Sequence, residues 1–232
     1  MGAIYDTTQP ESLLTGMRLA RAAIGRGELV VLPTDTVYGV GADAFHAEAV
    51  RALVAAKGRT PASPPPVLIP NAATLDALAE VVHPEVRALA ERFWPGALTV
   101  IVPARASLDL DLGETHGTVA LRIPDDSIAL ALLEETGPLA VSSANRTGRP
   151  PATNAEEAQN ALGDSVAVIL DGGPRGTVSS TIVDATALPD GRLRVVREGA
   201  VSADEIRALL GADRVDPPAP APAPAPAAER EP

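Results

Sequence analysis

The 232-residue chain has no cysteine, a single lysine, three histidines and few aromatic side chains: one Trp, two Tyr and two Phe. Without cysteine it can form no disulfide, iron–sulfur cluster, thiolate zinc site or thiol nucleophile. His46, His83 and His116 stand far apart, with no HxxxH-type pair, so a histidine-based metal site is not expected. The lone lysine, Lys57, follows Ala56 rather than glycine, which rules out a Walker A loop and leaves all lysine chemistry to this position. No apolar run approaches the roughly 20 residues of a membrane-crossing helix. The N-terminal MGAIYDTTQPES has neither the basic flank nor the apolar stretch of a secretion signal. These absences lead to the expectation of a soluble, cytoplasmic protein without a membrane partner.

What the chain does contain is ordinary for a globular protein: 46% hydrophobic and 21% charged residues, with a mean hydropathy of +0.12. Its length suits one domain with a continuous core. A net charge of −11 argues against a general nucleic-acid coat protein, though it leaves room for a local basic pocket.

Periodicity outlines an alternation of helices and strands. Leu13, Leu14, Met17 and Ile24 recur at helical spacing, with Gly25 and Gly27 as stop signals. ELVVL from 28 reads as a buried strand, and 46–58 as a helix with Gly58 at its C-terminal cap. PVLIP from 66 reads as a short strand, followed by a helix opened by Asn71 and another from Pro84 to Phe93. Apolar β-like runs start at 98, 118, 138, 166, 180 and 193, with helical segments near 126–136 and 154–162. Ser202 and Glu205 form a capping-box pattern for a last helix to about Leu210. The expected fold is α/β around a substantial mixed sheet. A domain over 1–211 is expected, followed at 212–232 by a Pro/Ala-rich tail whose alternation predicts solvated polyproline II without a core, or a proline-motif ligand.

One stretch breaks this pattern. In VLPTDTVYGVGADA, from Val31, a strand ends in Pro33 and is followed at once by Thr34, Asp35, Thr36, Tyr38, Gly39 and Gly41. At the edge of an open α/β sheet such a turn offers hydroxyls, and its glycines let the backbone approach a ligand. A turn capped by Asp35 would account for it equally well. KGR at 57–59 reads either as an anion site or as cations on a helix C-terminus. SSAN at 142–145 reads either as a donor set at a strand end or as an Asx turn. Arg122 in TVALRIP is a charge in a β run, costly to bury unless it faces a ligand or an acid.

Together with STIVD at 180–184, these segments, in order from about residue 11 to 210, resemble the YrdC-like threonylcarbamoyl-AMP synthase family; PTDTVYG is the most specific of them. The resemblance implies a single YrdC-like domain, a twisted mixed sheet with flanking helices and a concave basic cleft. It also implies a nucleotidyltransferase that condenses L-threonine, bicarbonate and ATP, with Mg²⁺ carried in by the ATP, to threonylcarbamoyl-AMP and pyrophosphate. The product would feed threonylcarbamoyladenosine formation in tRNA through a transfer complex. By motif position Lys57, Arg59, Ser143 and Asn145 would surround the reaction. Thr36, Arg122 and Ser180 would contact threonine, and Arg59, Thr118, Ser143 and Arg197 the nucleotide. Many family members continue after KxR with an Asn and, five residues later, a His. Here Ser63 and Leu68 stand in SPPPVLI, so no ligand role passes to them, and Pro64 to Pro66 are expected to stiffen the loop.

These residue types suit the chemistry. Threonine's amine and bicarbonate give a carbamate, an anion that must attack the α-phosphorus of a polyanion; fixed cations and donors lower that barrier without a protein nucleophile. Lys57 supplies a point charge and Arg59 a planar fork. Two other readings remain at this stage. One is a non-enzymatic RNA-binding module, disfavoured by the −11 charge and the lack of an aromatic stacking platform. The other is a related synthase of a different carbamoyl-adenylate, as a similar domain makes in hydrogenase maturation.

Overall fold

A computed structural model describes residues 2–188 and 191–216. Its elements in chain order are β1 (Ala3–Asp6), α1 (Pro10–Gly25), β2 (Leu29–Leu32), β3 (Gly39–Asp43), α2 (Ala47–Ala56), β4 (Val67–Leu68), α3 (Ala72–Leu78), α4 (Pro84–Phe93) and β5 (Leu98–Pro103). They continue with β6 (Thr118–Arg122), α5 (Ser127–Thr136), β7 (Leu139–Ser143), α6 (Ala155–Leu162), β8 (Val166–Asp171), β9 (Thr181–Asp184), β10 (Arg194–Arg197) and α7 (Ala203–Leu210). The described strands form one mixed sheet in the order β1-β8-β2-β3-β7-β4-β6-β5-β9-β10. The pairs β1–β8, β8–β2, β4–β6 and β5–β9 are parallel and the others antiparallel, so chain reversals and crossovers bring distant segments to the same sheet edge.

Period-two alternation puts opposite faces of each strand into different cores. Val30 and Leu32 of β2 join α1 and α5 through Ala20, Ile24, Ala129 and Leu132. Leu29 and Val31 point the other way, into a larger cluster with α2, α3, α4, α6 and α7. The helices start where the sequence signals them. Asn71 accepts from the Thr74 amide, Asp126 from those of Ile128 and Ala129, and Asn154 from that of Glu157. Ser202 and Glu205 close both bonds of the capping box. Among the described residues no helix is long and apolar enough to cross a membrane.

Two strands escape sequence reasoning. β1 lies outside any clear apolar run, and β3 reads GVGAD, whose glycines are poor strand formers. β3 exists because Gly39 and Gly41 let β7 lie close: a Cβ on Gly39 would stand 2.6 Å from Val141 Cγ1. These glycines therefore serve strand packing, a role the sequence did not suggest, and Gly39 also lines the cavity described below.

Packed structure also extends past the expected boundary at 211. Residues Ala212–Arg214 form a 3₁₀ turn, and Val215, buried, bridges to Leu193. A lone branched apolar side chain next to the core is more favourably covered than left in water. The Pro/Ala run from 217 onward lies outside the described residues.

Candidate active site

Beyond Pro33 the chain crosses from β2 to β3 in a turn held by hydroxyls. Thr34 Oγ1 accepts from the amides of Thr36 (3.2 Å) and Val37 (3.3 Å), donates to the Val37 carbonyl (2.6 Å) and lies 3.0 Å from Thr36 Oγ1. Tyr38 is fully buried and faces away from this turn. Its hydroxyl lies 2.9 Å from Asp171 Oδ1 and 2.7 Å from the Gly173 carbonyl, fixing the chain that follows β8. Asp35 does not cap its own turn. Its Oδ1 accepts from Arg122 Nη2 (2.5 Å), two strands and many residues away, and from the Asp125 amide (3.1 Å).

Arg122, at the end of β6, is only 6% exposed. Its Nε donates to the Gly96 carbonyl (2.9 Å) and its Nη1 to Thr36 Oγ1 (3.1 Å), so three partners aim the guanidinium. Burial draws its pKa down, Asp35 holds it up, and Arg197 draws it down again. Arg59, just past the end of α2, donates from Nη1 to Ser142 Oγ (3.2 Å). Arg197 donates from Nη2 to the Ser180 carbonyl (2.7 Å), and burial, then Arg59, lowers its pKa.

These three cations share one cavity of about 170 Å³. Thr34, Thr36, Val37 and Gly39 supply one wall, and Pro64, Pro66 and Leu68 a second. Val141, Ser142 and Ser143 close it along β7, with Thr99, Ser179, Ser180 and Ile182 on the far side. Among the described residues no acidic side chain lines it; Asp35 reaches it only through Arg122. Burial first, and a neighbouring arginine after it, lowers the pKa of Arg122 and of Arg197; such a concentration of positive potential is relieved by a bound anion.

Of the residues singled out from sequence, the fold thus gathers Thr36, Arg59, Arg122, Ser143, Ser180 and Arg197 at this cavity, and sets three apart. Lys57 is 1% exposed and does not line it. Its Nζ donates to the carbonyls of Ser143 and Asn145, the latter at 2.5 Å, with Asn145 Oδ1 at 3.3 Å. Asn145 in turn donates from Nδ2 to the carbonyls of Arg146 (3.0 Å) and Arg149 (2.6 Å), so its amide is committed to its own loop. The Lys57 carbonyl accepts from the amide (3.0 Å) and the hydroxyl (2.9 Å) of Thr147. Lysine and loop are therefore bolted together from both ends, directly behind Ser143. Thr118 donates its hydroxyl to the Thr115 carbonyl (2.7 Å) at the start of β6, four residues and about 13 Å along the strand from Arg122.

A family model for the Sua5/YciO/YrdC domain, described as "Telomere recombination", matches residues 22–199. The chain belongs to the Sua5/YciO/YrdC family. Within it, a Mycobacterium tuberculosis protein provisionally named threonylcarbamoyl-AMP synthase is 48% identical over 214 residues, covering 92% of this chain and 97% of the relative. Bacillus subtilis threonylcarbamoyl-AMP synthase is 39% identical over 85% of this chain and 57% of its own length. The structure of Pyrococcus abyssi Sua5 complexed with L-threonine superposes with a TM-score of 0.83 at 34% identity, over 93% of this chain and 63% of that one. This Sua5/YciO/YrdC domain thus spans under two thirds of some relatives and nearly the whole of others.

Three features of the Sua5/YciO/YrdC cavity were not foreseen. SPPPVLI, given no ligand role, supplies a whole wall through Pro64, Pro66 and Leu68. Ser142 holds Arg59, and its place beside Ser143 was the available signal. Thr99 is a fully buried hydroxyl inside the apolar run LTVIV, where an unexplained polar group is itself a clue.

Proposed function

We propose that the protein is an L-threonylcarbamoyladenylate synthase, forming threonylcarbamoyl-AMP and pyrophosphate from L-threonine, bicarbonate and ATP. The observation that supports this reading is the convergence of Arg59, Arg122 and Arg197 on one cavity with no acidic lining residue among the described ones, in a chain of net charge −11. Carbamate and triphosphate are both anionic where they must meet, threonine carries a carboxylate to be held, and fixed guanidinium forks suit carboxylate and phosphate oxygens.

The roles follow from position. Arg122, already aimed by Asp35, Thr36 and Gly96, takes the threonine carboxylate with its remaining N–H groups, and Thr36 and Ser180 flank the amino acid. Threonine's amine joins the carbon of bicarbonate with loss of water. A carbamate oxygen then forms a bond to the α-phosphorus while the bond to pyrophosphate breaks. Arg59 and Arg197 offset the charge on the phosphates, and Ser143 donates to the carbamate or a phosphate oxygen. Lys57 and Asn145 act from behind, holding Ser143 in place. Thr118 is assigned to the outer part of the nucleotide. Mg²⁺ enters with ATP as part of the substrate. The product passes in the cytoplasm to a complex that modifies tRNA.

With ATP and bicarbonate supplied, addition of L-threonine is expected to raise pyrophosphate release by the purified protein well above the threonine-free rate. Equal rates with and without threonine reject the assignment.

A further inference from the structure

Thr99 and Ser180 face the same cavity from neighbouring parallel strands, Thr99 on β5 and Ser180 one residue before β9. Both are buried, and their oxygens lie 2.9 Å apart. That contact is the side-chain bond each hydroxyl makes within the protein. Two hydroxyls carry two protons, and one proton fills the bond between them. The other proton and the unused lone pairs open toward the cavity. Such a pair both donates and accepts, and the group that matches it is another alcohol. The same cavity carries apolar side chains that suit a methyl group: Ile182, paired with Thr99 on the neighbouring strand, and Leu68 and Val141 farther across the sheet. An alcohol and a methyl on one carbon are what distinguish threonine from other small amino acids.

We propose that Thr99, through its hydroxyl bond to Ser180, is a specificity-determining residue that reads the β-hydroxyl of the amino-acid substrate. The proposal rests on the synthase reading above and extends it to a residue on a different strand from the motif positions. Thr99 selects threonine over its hydroxyl-free analogue because a cavity built to bond an alcohol leaves its own hydroxyls unpaired when the alcohol is absent.

The test is threonine-dependent pyrophosphate release by wild type, Thr99→Val and Thr99→Ser, each with L-threonine and with L-2-aminobutyrate, with melting temperature measured in parallel. Thr99→Val keeps shape and removes the hydroxyl. It should lower kcat/KM for threonine by about tenfold, leave that for 2-aminobutyrate nearly unchanged and leave the KM for ATP alone. Thr99→Ser should restore most of the selectivity. If Thr99→Val does not fold, Ser180→Ala, which breaks the same hydroxyl pair, should show the same loss of selectivity. Unchanged selectivity in a folded variant overturns the proposal while leaving the synthase reading intact, as does a rise confined to the KM for ATP, which would assign the pair to the ribose. No threonine-dependent release by wild type overturns both.

Discussion

Arg122→Ala is expected to remove threonine-dependent pyrophosphate release, by at least about 10²-fold, and to destabilise the fold by about 3–5 kcal/mol. The two effects have different causes. The stability loss comes from Asp35, whose carboxylate is largely buried and bonded to Arg122; without the guanidinium that charge stays desolvated and unpaired. The activity loss comes from the threonine carboxylate, which has no other buried fork aimed at it. The double replacement Arg122→Met with Asp35→Asn separates them. It removes both charges and should recover most of the stability while recovering none of the activity. Chemical denaturation and the pyrophosphate assay on the three proteins check both halves. A double variant that regained turnover would contradict the role given to Arg122.

Lys57→Met has the second largest effect, and it reaches the chemistry indirectly. The ammonium is buried and bonded to the carbonyls of Ser143 and Asn145; its removal costs the Asn145 carbonyl this donor, at about 1–3 kcal/mol, and leaves the Ser143 carbonyl with the Asn145 amide alone. Ser143 then drifts, and a misplacement of that kind costs about 10²-fold in rate. Thr147→Val, which removes one of the two Thr147 bonds to the Lys57 carbonyl without touching the cavity, should reproduce a small part of this loss. If Lys57 instead touched a phosphate directly, Thr147→Val would be silent. Stability against pH gives a second signature. Burial, then Arg59, lowers the Lys57 pKa to about 8 from its ordinary 10.5. Below pH 8 both folded and unfolded chains hold the proton and the charge-burial cost is complete. Between 8 and 10.5 the unfolded chain binds more protons, so wild type gains on Lys57→Met by about 3 kcal/mol as pH rises through that window. Denaturant titrations of both proteins at pH 7.5 and 10 capture most of the gain, about 2 kcal/mol.

Much of the helical layout was legible because caps and periodicity agree locally: Asn71, Pro84, Asp126 and Ser202 each mark a helix start. β3 was not legible, since its glycines read as turn and become strand only when Val141 and Leu32 cover them. The same contrast holds at the site. Thr36, Arg59, Arg122, Ser143, Ser180 and Arg197 stand out as polar groups at strand or helix ends, and the sheet order brings those ends together. The Asp35–Arg122 pair joins two motifs read separately, and only the placement of β6 beyond β4 and β7 makes it visible. That Lys57 lies off the cavity was hidden for a related reason. Its spacing from Arg59 says that both follow α2, but not that one turns inward to carbonyls and the other toward the cavity.

The most direct measurement is a crystal structure of the protein with ATP and L-threonine bound. It should place the threonine carboxylate about 3 Å from the Arg122 guanidinium and phosphate oxygens equally near Arg59 and Arg197, with Lys57 still on the Ser143 and Asn145 carbonyls. Phosphates seated away from this cavity, with all three arginines free of ligand, would contradict the account.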